Sequence, residues 1–394
     1  MKSLEITFWL SLIIVFYTYL GYGIVLYLLV KIKELFSKQK TKALPVKEEL
    51  PEVTLFITAF NEEAVVKDKM DNCLALDYPQ DKLKIVWVTD GSNDNTNELL
   101  KAYPEVTVLF QPERQGKTAA LNRGMRFISS SIVIFTDANT MINREAIMEI
   151  TGEFSDSKVG CVAGEKRIAA KDKDGAAGGG EGIYWKYEST LKVLDSRLYS
   201  AVGAAGELFA IRRELFEEME RDTLLDDFIL SLRIAQKGYK IAYCDKAYAI
   251  ESASASMNEE EKRKVRIAAG GLQSIWRLRS LLNIFRYGTL SFQYISHRVL
   301  RWSLTPVLLF LMLPLNIILV SHMSTDIYTV LLFLQVLFYV LGLWGYYLST
   351  RQIKNKILFI PYYFLFMNVN VFKGFIYLKN KNINGIWEKA NRSV

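Results

Sequence analysis

Residues 6–30, ITFWLSLIIVFYTYLGYGIVLYLLV, carry no charged side chain. This run constrains the chain most, because about 20 apolar residues are enough for one helix to cross a bilayer. It lacks the short apolar core and small-residue cleavage site of a signal peptide, so it predicts a retained membrane anchor over 1–33. Two runs near the other end, 302–321 and 327–349, are spanning candidates on the same grounds. A fourth, 357–378, is apolar but contains Pro361, Asn368, Asn370 and Lys373, so spanning, re-entrant and interfacial placements all stay open for it. Residues 298–394 thus read as a C-terminal membrane region. Hydrophobic residues make up 51% of the chain and the mean hydropathy is +0.11, with the apolar excess at the two ends.

The net charge of +7 is distributed in the manner of a membrane protein. Lys31, Lys33, Lys38, Lys40, Lys42 and Lys47 follow the first apolar run, and positive charge beside a span marks the cytoplasmic side. No dense basic block interleaved with aromatics lies mid-chain, so nucleic acid is not an expected partner. The link between the second and third runs has no Lys or Arg, whereas Arg351, Lys354 and Lys356 follow the third, which predicts outside and then inside. A tail from Lys379 to Arg392 would break that rule if 357–378 spans. The expectation is a multi-pass inner (plasma) membrane protein with a cytoplasmic central domain. Its three widely spaced cysteines lack a CxxC pair, which fits a reducing compartment.

After a linker over 34–52, the pattern from Val53 changes to strands alternating with helices. VTLFITAF, LKIVWVTD, VTVLF and SIVIFTDANT read as successive strands alternating with helices, which predicts a parallel, doubly wound sheet with helices on both faces, within an α/β domain bounded at 53–257. NEEAVVKDKMDNCLAL reads as a helix N-capped by Asn61. The most informative stretch is SIVIFTDANT, 131–140: a strand too continuously apolar to be half-exposed, ending abruptly in Asp137 and Asn139. Ligands gather at the carboxyl ends of such strands, where oxygen side chains at i and i+2 can reach one hard divalent cation that also takes phosphate oxygens. On spacing alone, an Asx-turn leaving the strand explains the pair equally well. Phe60, Asn61, Glu62, Asp90 and Lys117 are placed on the same rim.

The later half is less regular. DKDGAAGGGEG, 172–182, has five glycines but no strand–GxGxxG–helix context, so it reads as a flexible loop and not as a dinucleotide fingerprint. YWKYESTLKVLDSRL is helical, and Asp226 and Asp227 head another helix, where capping is the alternative to chemistry. EEEKRKVRIAAGGLQSIWRLRSLLN is amphipathic and belongs to a section that reads as interfacial helices over 258–297.

These motifs together resemble membrane-bound family 2 glycosyltransferases of the GT-A fold, the broad group that holds hyaluronan, cellulose and poly-N-acetylglucosamine synthases. FITAFNEE (56–63) is similar to the family's opening strand, which implies that Phe60 and Glu62 lie around the uracil. VTDGSNDNT (88–96) is similar to the nucleotide-binding turn, with Asp90 carried over for uridine and Thr89 in place of a first aspartate. GKTAALNRG (116–124) supplies Lys117 against the diphosphate. TDANT (136–140) resembles the Asp-x-Asp metal motif, implying Mg²⁺ or Mn²⁺ at Asp137 and Asn139, where Asn removes one negative charge. LLDDF (224–228) resembles the Thr-Glu-Asp motif, which implies Asp227 as general base beside Asp226. RKVRI (263–267) keeps only the Arg of Gln-x-x-Arg-Trp: Arg263 and Arg266 are either diphosphate contacts or the solvated face of a basic helix, and Ile267 lacks an aromatic face for an acceptor sugar. Glu207 is assigned to the acceptor side by the same resemblance.

The resemblance implies inverting transfer of a sugar from a UDP-sugar to a glycan or lipid acceptor at the membrane, in polysaccharide or cell-surface glycan synthesis. The alternatives are a single-addition transferase acting on a lipid and, in a different class, a non-catalytic membrane-tethered nucleotide-sugar sensor. Thr89 and Asn139 permit the sensor, while Asp227 and Arg266 argue against it. An accessory subunit is a further candidate partner. A transporter fits poorly, since few ionisable groups lie within the apolar runs and no repeat is visible.

Overall fold

The computed structural model describes residues 1–36, 50–169, 176–252, 256–323, 326–351, 353 and 355–380. Most of the expected linker and nearly all of the charged C-terminal tail lie outside them. The central domain is built on eight strands: β1 (Val53–Ala59), β2 (Leu83–Asp90), β3 (Val106–Gln111), β4 (Ile132–Asp137), β5 (Met141–Ile142), β6 (Val159–Ile168), β7 (Leu208–Arg212) and β8 (Lys240–Glu251). They form one sheet in the order β3-β2-β1-β4-β7-β6-β8-β5.

Alternation of apolar side chains explains why the inner strands are covered on both faces. In β1, Leu55 and Ile57 pack into a core with Trp87 and Ile134, while Phe56 points the other way, towards Val88, Leu121 and Phe135. Each such side chain contributes roughly 1.5–3 kcal/mol through burial. The helix Lys117–Met125 lies close over this second face: a Cβ on Gly124 would meet the Phe56 ring at 2.4 Å.

The four strands read from the sequence pair in parallel as expected, while the sheet as a whole is mixed. β1, β2, β3 and β4 are parallel, but β7 runs antiparallel to both β4 and β6. A buried strand is apolar whichever way it runs, so its composition does not encode direction. Direction matters here because Leu208 pairs with Thr136, bringing the start of β7 beside the end of β4. Phe135 stacks on its partner Phe209 with ring centroids 4.7 Å apart, tying the two strands at that junction.

The long apolar helix α1 (Lys2–Phe36) precedes the domain, whose own helices are α2 (Val66–Leu74), α3 (Thr96–Leu100), α4 (Lys117–Met125), α5 (Ala146–Glu153), α6 (Ala176–Leu198) and α7 (Asp226–Gln236). Two sequence expectations change. Asn61 does not cap α2, which begins at Val66; it adopts φ +55° and exchanges side-chain and backbone hydrogen bonds with Asn93, pinning the end of β1 to the turn after β2. The glycine-rich stretch expected as a loop over 172–182 is helical from Ala176 onward, because it is continuous with the strongly helical YWKYESTLKVLDSRL segment.

Beyond the sheet come α8 (Met257–Arg277), short helical turns over 284–302, then α9 (Leu304–His322), α10 (Asp326–Thr350) and α11 (Lys356–Asn380). Among the described residues, four helices, α1, α9, α10 and most of α11, are long and apolar enough to cross a membrane. The fourth apolar run is thus one unbroken helix. Asn368 is accommodated by protein contacts: it is buried, and its Oδ1 accepts a 2.6 Å hydrogen bond from Tyr19 Oη of α1, whereas Asn370 is buried with neither side-chain polar atom hydrogen-bonded among the described residues. α8 packs along α11, with Gly374 fitted against Ala268 and Ala269 and with Lys373 Nζ 2.6 Å from Glu261 Oε1.

Candidate active site

The site grows from the convergence of strand ends. The carboxyl ends of β1, β2 and β4 and the amino end of β7 share one rim, and the first turns of α4 and α7 point at it. A cavity of about 220 Å³ opens there, lined by Lys117, Asp137, Glu207, Asp226, Asp227 and Arg266 among others. Of the residues expected from sequence, Lys117, Asp137, Glu207, Asp226, Asp227, Arg263 and Arg266 meet in this cavity. Phe60, Glu62, Asp90 and Asn139 do not line it.

On one side, Lys117 Nζ donates to Asp137 Oδ1 at 2.6 Å and lies 4.0 Å from Asp226 Oδ2. Burial opposes its charge, but Asp137, Asp226 and Asp227 outweigh that and hold its pKa far above the ordinary lysine value. Lys117 is therefore a fixed cation at the head of α4. Gly206 keeps the space in front of it clear: a Cβ there would sit 3.3 Å from Lys117 Nζ and 3.5 Å from Asp227 Oδ2.

Asp227 lies in the first turn of α7, where its Oδ1 accepts the Phe228 N–H at 2.8 Å. Helix-end bonding and a place in the cavity therefore coexist. Burial and the neighbouring Asp226 carboxylate push its pKa up to about 7, against the pull of Lys117. A carboxylate poised there can accept a proton near neutral pH. Asp226 Oδ2 is buried and, among the described residues, has no hydrogen-bond partner.

Glu207 faces a cluster that sequence reasoning missed. Lys166 of β6 is fully buried between Glu207 and Glu251 and forms short ion pairs with both. Burial would raise the Glu207 pKa, but the Lys166 ammonium and the more distant Arg263 hold it well below the ordinary carboxylate range. Arg263 is itself only 7% exposed, with Nε 3.3 Å from Glu260 Oε2, so α8 turns these basic residues inward and the solvated-face alternative is set aside.

The residues expected at the nucleotide end lie outside this cavity. Asp90 is buried, and its oxygens accept hydrogen bonds from the backbone of Gln115 at 3.1 Å and Gly116 at 2.7 Å, so it shapes the loop leading into Lys117. The Arg114 guanidinium covers the Phe60 ring at 3.7 Å. Glu62 uses its backbone to start α2, accepting from Val66 N and donating to Thr96 Oγ1.

Sequence reasoning also missed Trp185, Glu188 and Lys192 of α6, Arg298 and Trp302 from the 284–302 turns, and Met367 of α11, all of which line the cavity. The spacing of 185, 188 and 192 on a predicted helix was a readable signal of one face. Trp302 packs edge-on against Phe228 at 5.1 Å and brings an aromatic surface to the cavity that Ile267 does not provide.

Asp137 offers hard oxygen donors, Asn139 follows in the turn, and Asp226 Oδ2 is an unsatisfied buried oxygen nearby, a set that suits a divalent cation. Among the described residues no group of three His, Cys, Asp or Glu gathers as a complete metal cage, so ligands from outside the chain would have to complete any shell.

A family model described as "Glycosyltransferase like family 2" matches residues 51–270. Poly-beta-1,6-N-acetyl-D-glucosamine synthase of Staphylococcus aureus (strain COL) is 28% identical over 240 residues, which cover 58% of this chain and 57% of that protein. The probable glycosyltransferase YdaM of Bacillus subtilis (strain 168) is 27% identical over 248 residues, covering 57% of this chain and 56% of its own length. The matches thus span little more than half the length of these relatives. Among solved structures, the mannosyltransferase PcManGT from Pyrobaculum calidifontis, in complex with GDP-Man and Mn²⁺, aligns over 95% of this chain and 99% of its own with a TM-score of 0.71 at 20% identity. That likeness concerns the fold. Because the family model takes in more than half of the sequence and the strand-end geometry agrees with it, the chain belongs to glycosyltransferase family 2 and has the GT-A fold.

Proposed function

We propose that this glycosyltransferase is membrane-embedded, takes a UDP-sugar from the cytoplasm with Mg²⁺ or Mn²⁺, and transfers the sugar with inversion to a glycan or lipid acceptor at the membrane. One observation carries the reading: Asp227, with its pKa pushed up to about 7, lines one cavity together with Lys117, Asp137 and, from α11, Met367. In the reaction the acceptor oxygen attacks the anomeric carbon, its proton passes to an Asp227 carboxylate oxygen, and the bond from carbon to the diphosphate breaks. Inversion requires the base and the leaving group on opposite sides of the sugar, so in this reading Asp227 faces the acceptor hydroxyl and Lys117 the diphosphate. The Lys117 ammonium stabilises charge on the departing phosphates. Asp137, with Asn139 and Asp226 near it, would hold the divalent cation, which supplies further stabilisation of the diphosphate when bound. Phe60, Glu62 and Asp90 form the nucleoside end, with Asp90 acting through the loop that it shapes. Arg263 and Arg266 serve the cavity from α8, and Glu207 the acceptor side.

In this reading α1 is the anchor (1–33), 34–52 the linker, 53–257 the catalytic domain, and α9 to α11 the membrane region (298–394). The exposed Trp276, Ile284 and Phe285, flanked by Arg279 and Arg286, support an interfacial position for 258–297, with the contact made by its end and not by the buried basic face of α8. The test is product analysis by mass spectrometry after incubating the detergent-purified full chain with nucleotide-sugars and membrane lipid extract. A UDP-sugar-dependent product supports the proposal; a product from GDP-mannose alone refutes the donor assignment.

A further inference from the structure

Lys192 is a cation that the proposed mechanism does not use. It extends from α6 into the cavity, is only 4% exposed, and among the described residues makes no hydrogen bond and no ion pair within 4 Å. The rings of Trp185 and Tyr243 flank its Nζ at 5.9 and 5.8 Å, but these faces leave its N–H groups without acceptors. Burial and the neighbouring Arg298 hold its pKa below the ordinary lysine value, so the charged form is favoured when an anionic ligand supplies the missing acceptors. The neighbouring carboxylates do not serve: Glu188 is taken by Arg298 at 2.5 Å and Arg301 at 3.0 Å, and Glu207 by Lys166. Lys192 is also distinct from the donor-side cation. Asp137 and Asp226 act on Lys117, Glu188 and Glu207 act on Lys192, and Asp227 alone acts on both. Both lysines line the same cavity as Asp227.

The wall around Lys192 faces α11. Met367, Trp302, Ile267 and Leu225 give the same cavity an apolar flank beside Lys192. We propose that the acceptor is a lipid bearing a phosphate group, which seats on Lys192 while its hydrocarbon chain follows this apolar flank. The phosphate is a recognition group, and the attacking hydroxyl belongs to another part of the acceptor. This rests on the proposed transferase function and narrows its acceptor class.

The test measures equilibrium binding of farnesyl phosphate, farnesol, inorganic phosphate and UDP to the detergent-purified full chain and to its Lys192→Met and Lys192→Arg variants. The expected result is at least tenfold tighter binding of farnesyl phosphate than of farnesol to the wild type. That preference disappears in Lys192→Met and survives in Lys192→Arg, with UDP affinity the same in all three. A wild type that does not distinguish farnesyl phosphate from farnesol, or a preference that persists in Lys192→Met, overturns the proposal. So does loss of UDP affinity in Lys192→Met alone, which would assign the lysine to the donor. Inorganic phosphate binding as tightly as farnesyl phosphate overturns the lipid part. If UDP binds none of the proteins, the donor reading fails while the phosphate preference is still read independently. Should Lys192→Met not yield monodisperse protein, Lys192→Gln takes its place.

Discussion

Replacing Asp227 by Asn should make the protein more stable and much less active, and the stability gain should depend on pH. The Asp227 pKa rises from the ordinary 3.8 to about 7, so the folded state holds this proton more tightly than the unfolded chain does. The sign follows from linkage: the folded state has its full advantage from this group below pH 4 and loses it progressively as pH rises to about 7. Roughly three units at about 1.4 kcal/mol each set an upper figure of about 4 kcal/mol lost by neutral pH. Asn carries no charge at either end and escapes that loss. Tm in detergent, measured for both proteins from pH 4.5 to 8, should therefore diverge with rising pH, by several degrees at the upper end at roughly 2–4 °C per kcal/mol. Over the same range, wild-type turnover should climb about tenfold per pH unit below 7, and Asp227→Asn should lose about 10²- to 10⁴-fold in rate. A variant that transfers sugar as fast as wild type would refute the base assignment. A Tm difference that stays flat with pH would refute the electrostatic argument.

Gly206→Ala should place its Cβ between Lys117 and Asp227, at 3.3 and 3.5 Å from their charged atoms. Steady-state kinetics should show kcat/KM down by roughly tenfold or more while Tm stays close to wild type, since misplacement at a reacting centre is costly without unfolding anything. Lys166→Met should leave Glu207 and Glu251 facing each other without their shared cation, at a cost of about 3–5 kcal/mol, read as a fall in Tm on the order of 10 °C. Chelation by EDTA should abolish turnover, with recovery on adding Mn²⁺ or Mg²⁺ to wild type and none in Asp137→Ala.

Much of the framework was legible because it is written locally. The four strands from Val53 to Asp137, the head of α7 and the four apolar runs follow from periodicity and length, and the motif residues Lys117, Asp137, Asp226 and Asp227 do converge. What escaped depends on pairing across the fold. Strand direction is not encoded in apolar content, so the proximity of Glu207 to the end of β4 became visible only once Leu208 was seen opposite Thr136. Lys166 reads as an ordinary charged residue near a strand end until two distant glutamates close on it. A solvated face stayed open for Arg263 and Arg266 because amphipathicity reports that two faces differ, not which neighbour covers the polar one; Glu260, Glu251 and α11 cover Arg263 here. The glycines after 175 argued for a loop, yet a long helix absorbs them at its start.

The central claim is metal-assisted transfer from a nucleotide-sugar with Asp227 as base, and the most direct measurement is UDP release by the detergent-purified full chain. It is run over a panel of UDP-sugars with Mg²⁺ or Mn²⁺ and a membrane lipid extract, beside Asp137→Ala and Asp227→Asn. The account predicts metal-dependent release with at least one sugar, lost in both variants. Release that ignores the metal, or that persists in Asp227→Asn, would contradict it.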